Sequence, residues 1–122
     1  LLYDFAMRTV IPGAEMLDRI ALSSDISWTT IILMSLVNGV YEEYFLTHYL
    51  VRATASHGAM FAIGCSSLVR VGYHFYQGPF GAVSVLLWGV VMTAFYWRFR
   101  KVWPLMVAHV LTDIAALGSM IR

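Results

Sequence analysis

The chain has 122 residues, of which 60% are hydrophobic and 12% charged, with a formal net charge of +1 and a mean hydropathy of +0.72. A soluble domain carries about a quarter of its residues as charges, so this composition excludes an ordinary water-soluble fold and points to an integral membrane protein. The near-neutral balance gives no basis for nucleic-acid binding, and the single cysteine, Cys65, cannot form an internal disulfide.

The chain opens on Leu1 without a signal-peptide pattern and is read as one piece of a longer protein. Residues 1–25 mix Asp4, Arg8, Glu15, Asp18, Arg19 and Asp25 with apolar residues. That density of charge predicts an amphipathic segment at the membrane interface, broken near Pro12-Gly13, with Ser23-Ser24-Asp25 as the boundary. Residues 26–122 then form the core. At roughly 20 residues per span, they predict an all-α polytopic bundle of about four transmembrane helices around a polar cavity. The spans fall at 27–52, 58–76, 79–99 and 103–120, separated by breaks at Thr54 to His57, Gly78-Pro79 and Arg98 to Pro104. Arg52, Arg98, Arg100 and Lys101 lie in loops on one side, which the positive-inside rule makes cytoplasmic, while Arg8, Arg19 and Arg122 fall on the other.

Polar residues sort onto helix faces. In the first span Ser35, Gly39, Glu43 and Thr47 follow one i, i+4 row, with Asn38 and Glu42 on the adjacent row. Glu42 and Glu43 interrupt an apolar run, and each carboxylate would cost about 2.5 to 3.5 kcal/mol to insert, so the pair is expected to face inward and to have a function. In the second span Gly58, Ala62, Ser66, Arg70 and His74 form a row whose small residues allow close helix approach. In the fourth, His109 and Asp113 share a face; the third carries only Ser84 and Thr93 and reads as scaffold. His48 and His57 fall off these faces. Aromatic residues around Tyr73, Tyr76, Trp97 and Trp103 suit an interfacial belt, with Tyr73 also able to line a cavity.

Buried acids and imidazoles from three helices fit two chemistries. Two imidazoles and a carboxylate could hold zinc with an open position for water. Alternatively, a carboxylate could act as general base without metal while imidazoles orient groups or support an oxyanion. No HExxH helix favours the metal. A different class also accommodates two histidines on separate helices, a b-type haem electron carrier ligated by His74 and His109, but it gives Glu42 and Glu43 no role.

The segments Tyr41-Glu42-Glu43-Tyr44-Phe45-Leu46-Thr47, Arg70-Val71-Gly72-Tyr73-His74 and His109-Val110-Leu111-Thr112-Asp113 resemble the three motifs of the CPBP intramembrane proteases. That family includes type II CAAX prenyl endopeptidases and bacteriocin-processing or immunity proteins, with motifs EExxxR, FxxxH and Hxxx followed by Asn or Asp. The resemblance implies an intramembrane endopeptidase of a prokaryotic cytoplasmic membrane. It would act on a protein or peptide substrate, lipidated in some relatives, in contact with membrane lipids. It implies Glu42 as general base, working with His74 on the attacking water, Glu43 as the second acid of the pair, and His109 and Asp113 as oxyanion support. An ionised Asp cannot donate, so Asp113 is expected to orient His109 or keep it protonated. No cofactor is required by this scheme, with zinc the open alternative. A catalytically inactive relative acting in binding or immunity would share the same motifs.

Two positions depart from the pattern. Thr47 stands where the family has Arg, and Arg70 where it has Phe. These are read as one exchange, in which the guanidinium that pairs with Glu43 arrives from the second helix. Helix lengths pose a separate problem: Glu42 lies about 20 Å from the start of its span and His74 roughly 3 Å from the end of the next. Straight, equal spans would keep them apart, so a tilt, a break or different helix limits are expected.

Overall fold

The computed structural model describes residues 26–119. The interfacial segment expected over 1–25 and the last residues of the final span lie outside them. The described chain is helical, without a strand.

Ser27 caps α1 (Trp28–Glu42), its hydroxyl accepting from the Thr30 N–H at 3.2 Å. The helix then widens into a π-helical segment, Glu43–Tyr49, and tightens again through α2 (Leu50–Thr54) and a 3-10 turn, Ala55–His57. Gly58, with φ of +92°, reverses the chain into α3 (Ala59–Tyr73). A second 3-10 turn, Phe75–Gln77, leads into α4 (Gly78–Phe99), which carries a proline in its first turn. Arg100 closes α4 in the left-handed region, and α5 (Trp103–Gly118), which starts on a tryptophan-proline pair, again has a proline in its first turn.

The four rods alternate in direction. Gly39 lies against Val110 and Gly118 against Trp28, which makes α1 and α5 antiparallel. Ser66 meets Thr93 and Arg70 meets Gly89, which does the same for α3 and α4. These two pairs make the most extensive contacts.

The interior is more polar than the exterior. Its apolar core is small, with Val51, Ala62, Met92, Tyr96 and Leu105 in one cluster, while Ser35, Glu42, Glu43, Thr47, Ser66, Ser67, Arg70, Thr93 and His109 are also buried. Large side chains face outward instead, among them Met60 at 88% and Val37 at 71% exposure. In water such extensive apolar exposure would drive association, whereas lipid solvates it.

The expectation of four full spans is only partly met. Among the described residues one helical stretch, Phe75–Phe99, 25 residues with a mean hydropathy of 1.7, is long and apolar enough to cross a membrane. The apolar helices α3 and α5 have 15 and 16 residues, and lengths of about 22 to 24 Å fall short of a hydrocarbon core of about 30 Å. The short α3 also resolves the problem of depth. Glu42 lies 16 residues before Gly58 and His74 lies 16 after it. Measured from the turn they share, the two are level; the conflict came from measuring from the far ends of helices taken as equal.

Candidate active site

The inward row of the first rod is buried as its spacing predicts: Ser35, Glu43 and Thr47 are fully enclosed, and Gly39 sits against α5. A Cβ on Gly39 would fall 2.7 Å from Val110 Cγ2 and 3.0 Å from Val110 N, so the missing side chain lets α5 bring His109 up to the acidic pair.

Glu43 sits at the junction of three helical rods. Its Oε1 accepts from Arg70 Nη1 at 2.8 Å and lies 2.8 Å from His109 Nδ1; its Oε2 accepts from the Thr47 hydroxyl at 2.7 Å. Arg70 Nη2 donates in turn to Thr47 Oγ1 at 3.1 Å. The expected exchange is therefore present as geometry: the guanidinium comes from α3, and Thr47 occupies the family's arginine position as a bridge between Glu43 and Arg70. Gly89 of α4 makes room for this arrangement, since a Cβ there would lie 3.3 Å from Arg70 Cδ. The third rod, read from sequence as plain scaffold, thus forms the back wall, and its Thr93 lies 3.3 Å from the Ser66 hydroxyl, which donates to the Leu46 carbonyl of the π segment.

Glu42 is bound far less tightly. Its Oε1 lies 3.8 Å from His74 Nε2, and its Oε2 lies 4.0 Å from His109 Nε2 and 3.5 Å from Arg70 Nη1. Oε2 makes no hydrogen bond among the described residues. Both imidazoles are turned toward it by bonds on their other nitrogen. His74 Nδ1 is 3.0 Å from the Arg70 carbonyl, which can only accept, so Nδ1 carries a proton and Nε2 is the nitrogen turned to Glu42. His109 presents Nδ1 to Glu43 and Nε2 to Asp113 Oδ1 at 3.6 Å. The short contact that orients His109 is therefore made by Glu43, with Asp113 the more distant of its acidic neighbours. Asp113 is itself tied down by Asn38, whose Nδ2 donates to Oδ2 at 2.9 Å.

All five sequence-predicted residues, Glu42, Glu43, His74, His109 and Asp113, together with Arg70, thus fall in one cluster. The Tyr73 ring packs 4.4 Å from His74 at its edge. His48 and His57 lie elsewhere, the first 2.7 Å from the Tyr96 hydroxyl and the second beside Ser56 and Phe61. As for metal, tetrahedral zinc ligands at 2.0–2.1 Å stand about 3.4 Å apart, whereas Glu42 is 3.8 and 4.0 Å from the two imidazoles. Among the described residues no group of three or more His, Cys, Asp or Glu forms a preassembled metal-binding cluster.

An all-helical fold with an apolar outer surface and its ionisable groups gathered inside has the layout of a helical membrane protein with an internal polar site. The chain belongs to the type II CAAX prenyl endopeptidase Rce1-like family, which it matches over residues 24–115. That stretch includes every residue of the cluster, and the family carries with it protease activity on a peptide or protein substrate in a membrane setting. Comparisons with curated proteins and with solved structures returned no match.

Proposed function

We propose that this protein is a glutamate-dependent intramembrane endopeptidase, with Glu42 as general base. The observation that carries the reading is the facing of Glu42 Oε1 and His74 Nε2 at 3.8 Å. This is too long for a direct hydrogen bond and of the length that one water spans between two acceptors. A water held there gives its proton to Glu42 as its oxygen attacks the scissile carbonyl, with the His74 lone pair fixing its orientation. The carbonyl oxygen, becoming an oxyanion, is met by His109, which in its protonated form donates from Nε2 while Nδ1–H stays on Glu43. Glu42 then returns the proton to the departing amine, so no net proton is consumed. Asp113 faces Nε2 of the same imidazole and supports its protonated form.

Arg70 and Thr47 hold Glu43, and through it His109, which makes them positioning residues. No step in this scheme needs a metal. The haem alternative is disfavoured because the Glu42 carboxylate is interposed between the imidazoles, each facing a different oxygen. The substrate class is a peptide or protein reached from the lipid phase, and the family makes a CAAX-type C-terminus the first substrate to test; the site of action is a prokaryotic cytoplasmic membrane.

The test is hydrolysis of a fluorogenic farnesylated CAAX peptide by the full-length protein in liposomes. Wild type is expected to cleave it, and Glu42→Gln to lose about 10²- to 10⁴-fold in kcat, the usual value of a positioned general base. Activity that survives in Glu42→Gln would overturn the assignment. Activity is expected to withstand dialysis against a chelator; its loss there, with recovery on adding zinc, would move the mechanism to metal.

A further inference from the structure

Asn38 is a polar residue bonded into the cluster that the mechanism leaves without a task. It lies on α1 one turn before Glu42, and its Nδ2 donates to Asp113 Oδ2 at 2.9 Å across 75 residues of sequence. The partner settles which end of the amide is turned inward, because an ionised carboxylate only accepts. This bond leaves Oδ1, the other Asp113 oxygen, 3.6 Å from His109 Nε2. Without Asn38 the carboxylate would be free to rotate, because its side chain is 24% exposed and its other polar contact among the described residues is this longer one to His109.

We infer that Asn38 is a positioning residue for the reaction, fixing the Asp113 carboxylate so that one oxygen faces the Nε2 edge of His109; the inference rests on the endopeptidase reading. His109 is then aligned from both sides, by Glu43 on Nδ1 and by the Asn38–Asp113 pair at Nε2. The alignment from Nε2 is needed because the oxyanion forms there. An ionised Asp113 brings no donor of its own, and Asn38 supplies the amide that holds it. A simple packing bond between α1 and α5 is the competing role, and it would register in stability rather than in kcat.

The experiment uses full-length protein in liposomes and the farnesylated CAAX peptide, with kcat, KM and melting temperature measured on each variant. Asn38→Leu keeps the bulk and helical preference but removes the donor; it is expected to lower kcat about tenfold, with KM within twofold and melting temperature unchanged or raised. In an Asp113→Ala background the same substitution is expected to change kcat less than twofold, because Asn38 acts through Asp113. Asn38→Ser, too short to span the gap, serves if the leucine variant does not fold. An equal kcat loss in both backgrounds, or a fall in melting temperature with kcat intact, would overturn the inference while leaving the protease assignment standing. A wild type unable to cleave, alongside an equally inactive Glu42→Gln, would remove both.

Discussion

Glu43 has both carboxylate oxygens bound to protein, whereas Glu42 Oε2 has no hydrogen-bond partner among the described residues, and that difference sets two chemically identical neighbours apart. Arg70→Ala would leave Glu43 charged and buried without its cation, and breaking such a pair costs about 3–5 kcal/mol. The expected outcome is a large loss of stability in denaturant unfolding and loss of peptide cleavage. Thr47→Arg in that background is expected to restore part of both, since the guanidinium would return to Glu43 from its own helix. No rescue, together with a fully active Arg70→Ala protein, would refute the exchange. The acids, imidazoles and arginine were legible in the sequence because charge in an apolar run is costly and i, i+4 spacing assigns it a face. The bonds from Glu43 to His109 and from Asn38 to Asp113 were not, because they depend on how α1 and α5 meet, which no local spacing encodes.

At the scale of helices, the π segment is the least foreseeable feature. Glu43–Tyr49 contains no proline or glycine to mark a break, and the wider turn is satisfied by tertiary contacts such as Ser66 on the Leu46 carbonyl. Helix ends were better signalled, by Gly58, Gly78-Pro79 and Trp103-Pro104, although the cap of α1 is Ser27, beyond the Ser23-Ser24-Asp25 boundary read from sequence, and α3 ends earlier than its apolar run suggests. The approach of α1 to α5 is equally specific. Gly39→Ala would force Val110 backbone atoms away and draw His109 from Glu43. It is expected to lower the melting temperature by several degrees and to reduce kcat more than KM, whereas Gly64→Ala, at a position with open space, should leave the melting temperature near the wild-type value.

Over the described residues as a whole, an apolar shell surrounds a core in which the buried Arg70 is paired with Glu43. Such a surface is expected to keep the protein in the membrane pellet after alkaline carbonate washing and to release it only with detergent; release by carbonate would contradict a spanning arrangement. Alternating rods also bring Arg52 to the same end as Arg98, Arg100 and Lys101. Arg100 lies 4.5 Å over the Trp97 ring there, joining a cation to an aromatic residue as membrane interfaces favour.

The turn at Gly58 sets the depth of the site in the manner of a caliper, with 16 residues along each arm to Glu42 and to His74. Lengthening one arm by four residues, about one helical turn, would preserve the faces yet slide Glu42 and His74 past each other by about 6 Å. Lengthening both would carry them together to a new level. The site is therefore defined by an equality between two lengths, and the chain can alter its depth in the membrane only by altering both arms at once.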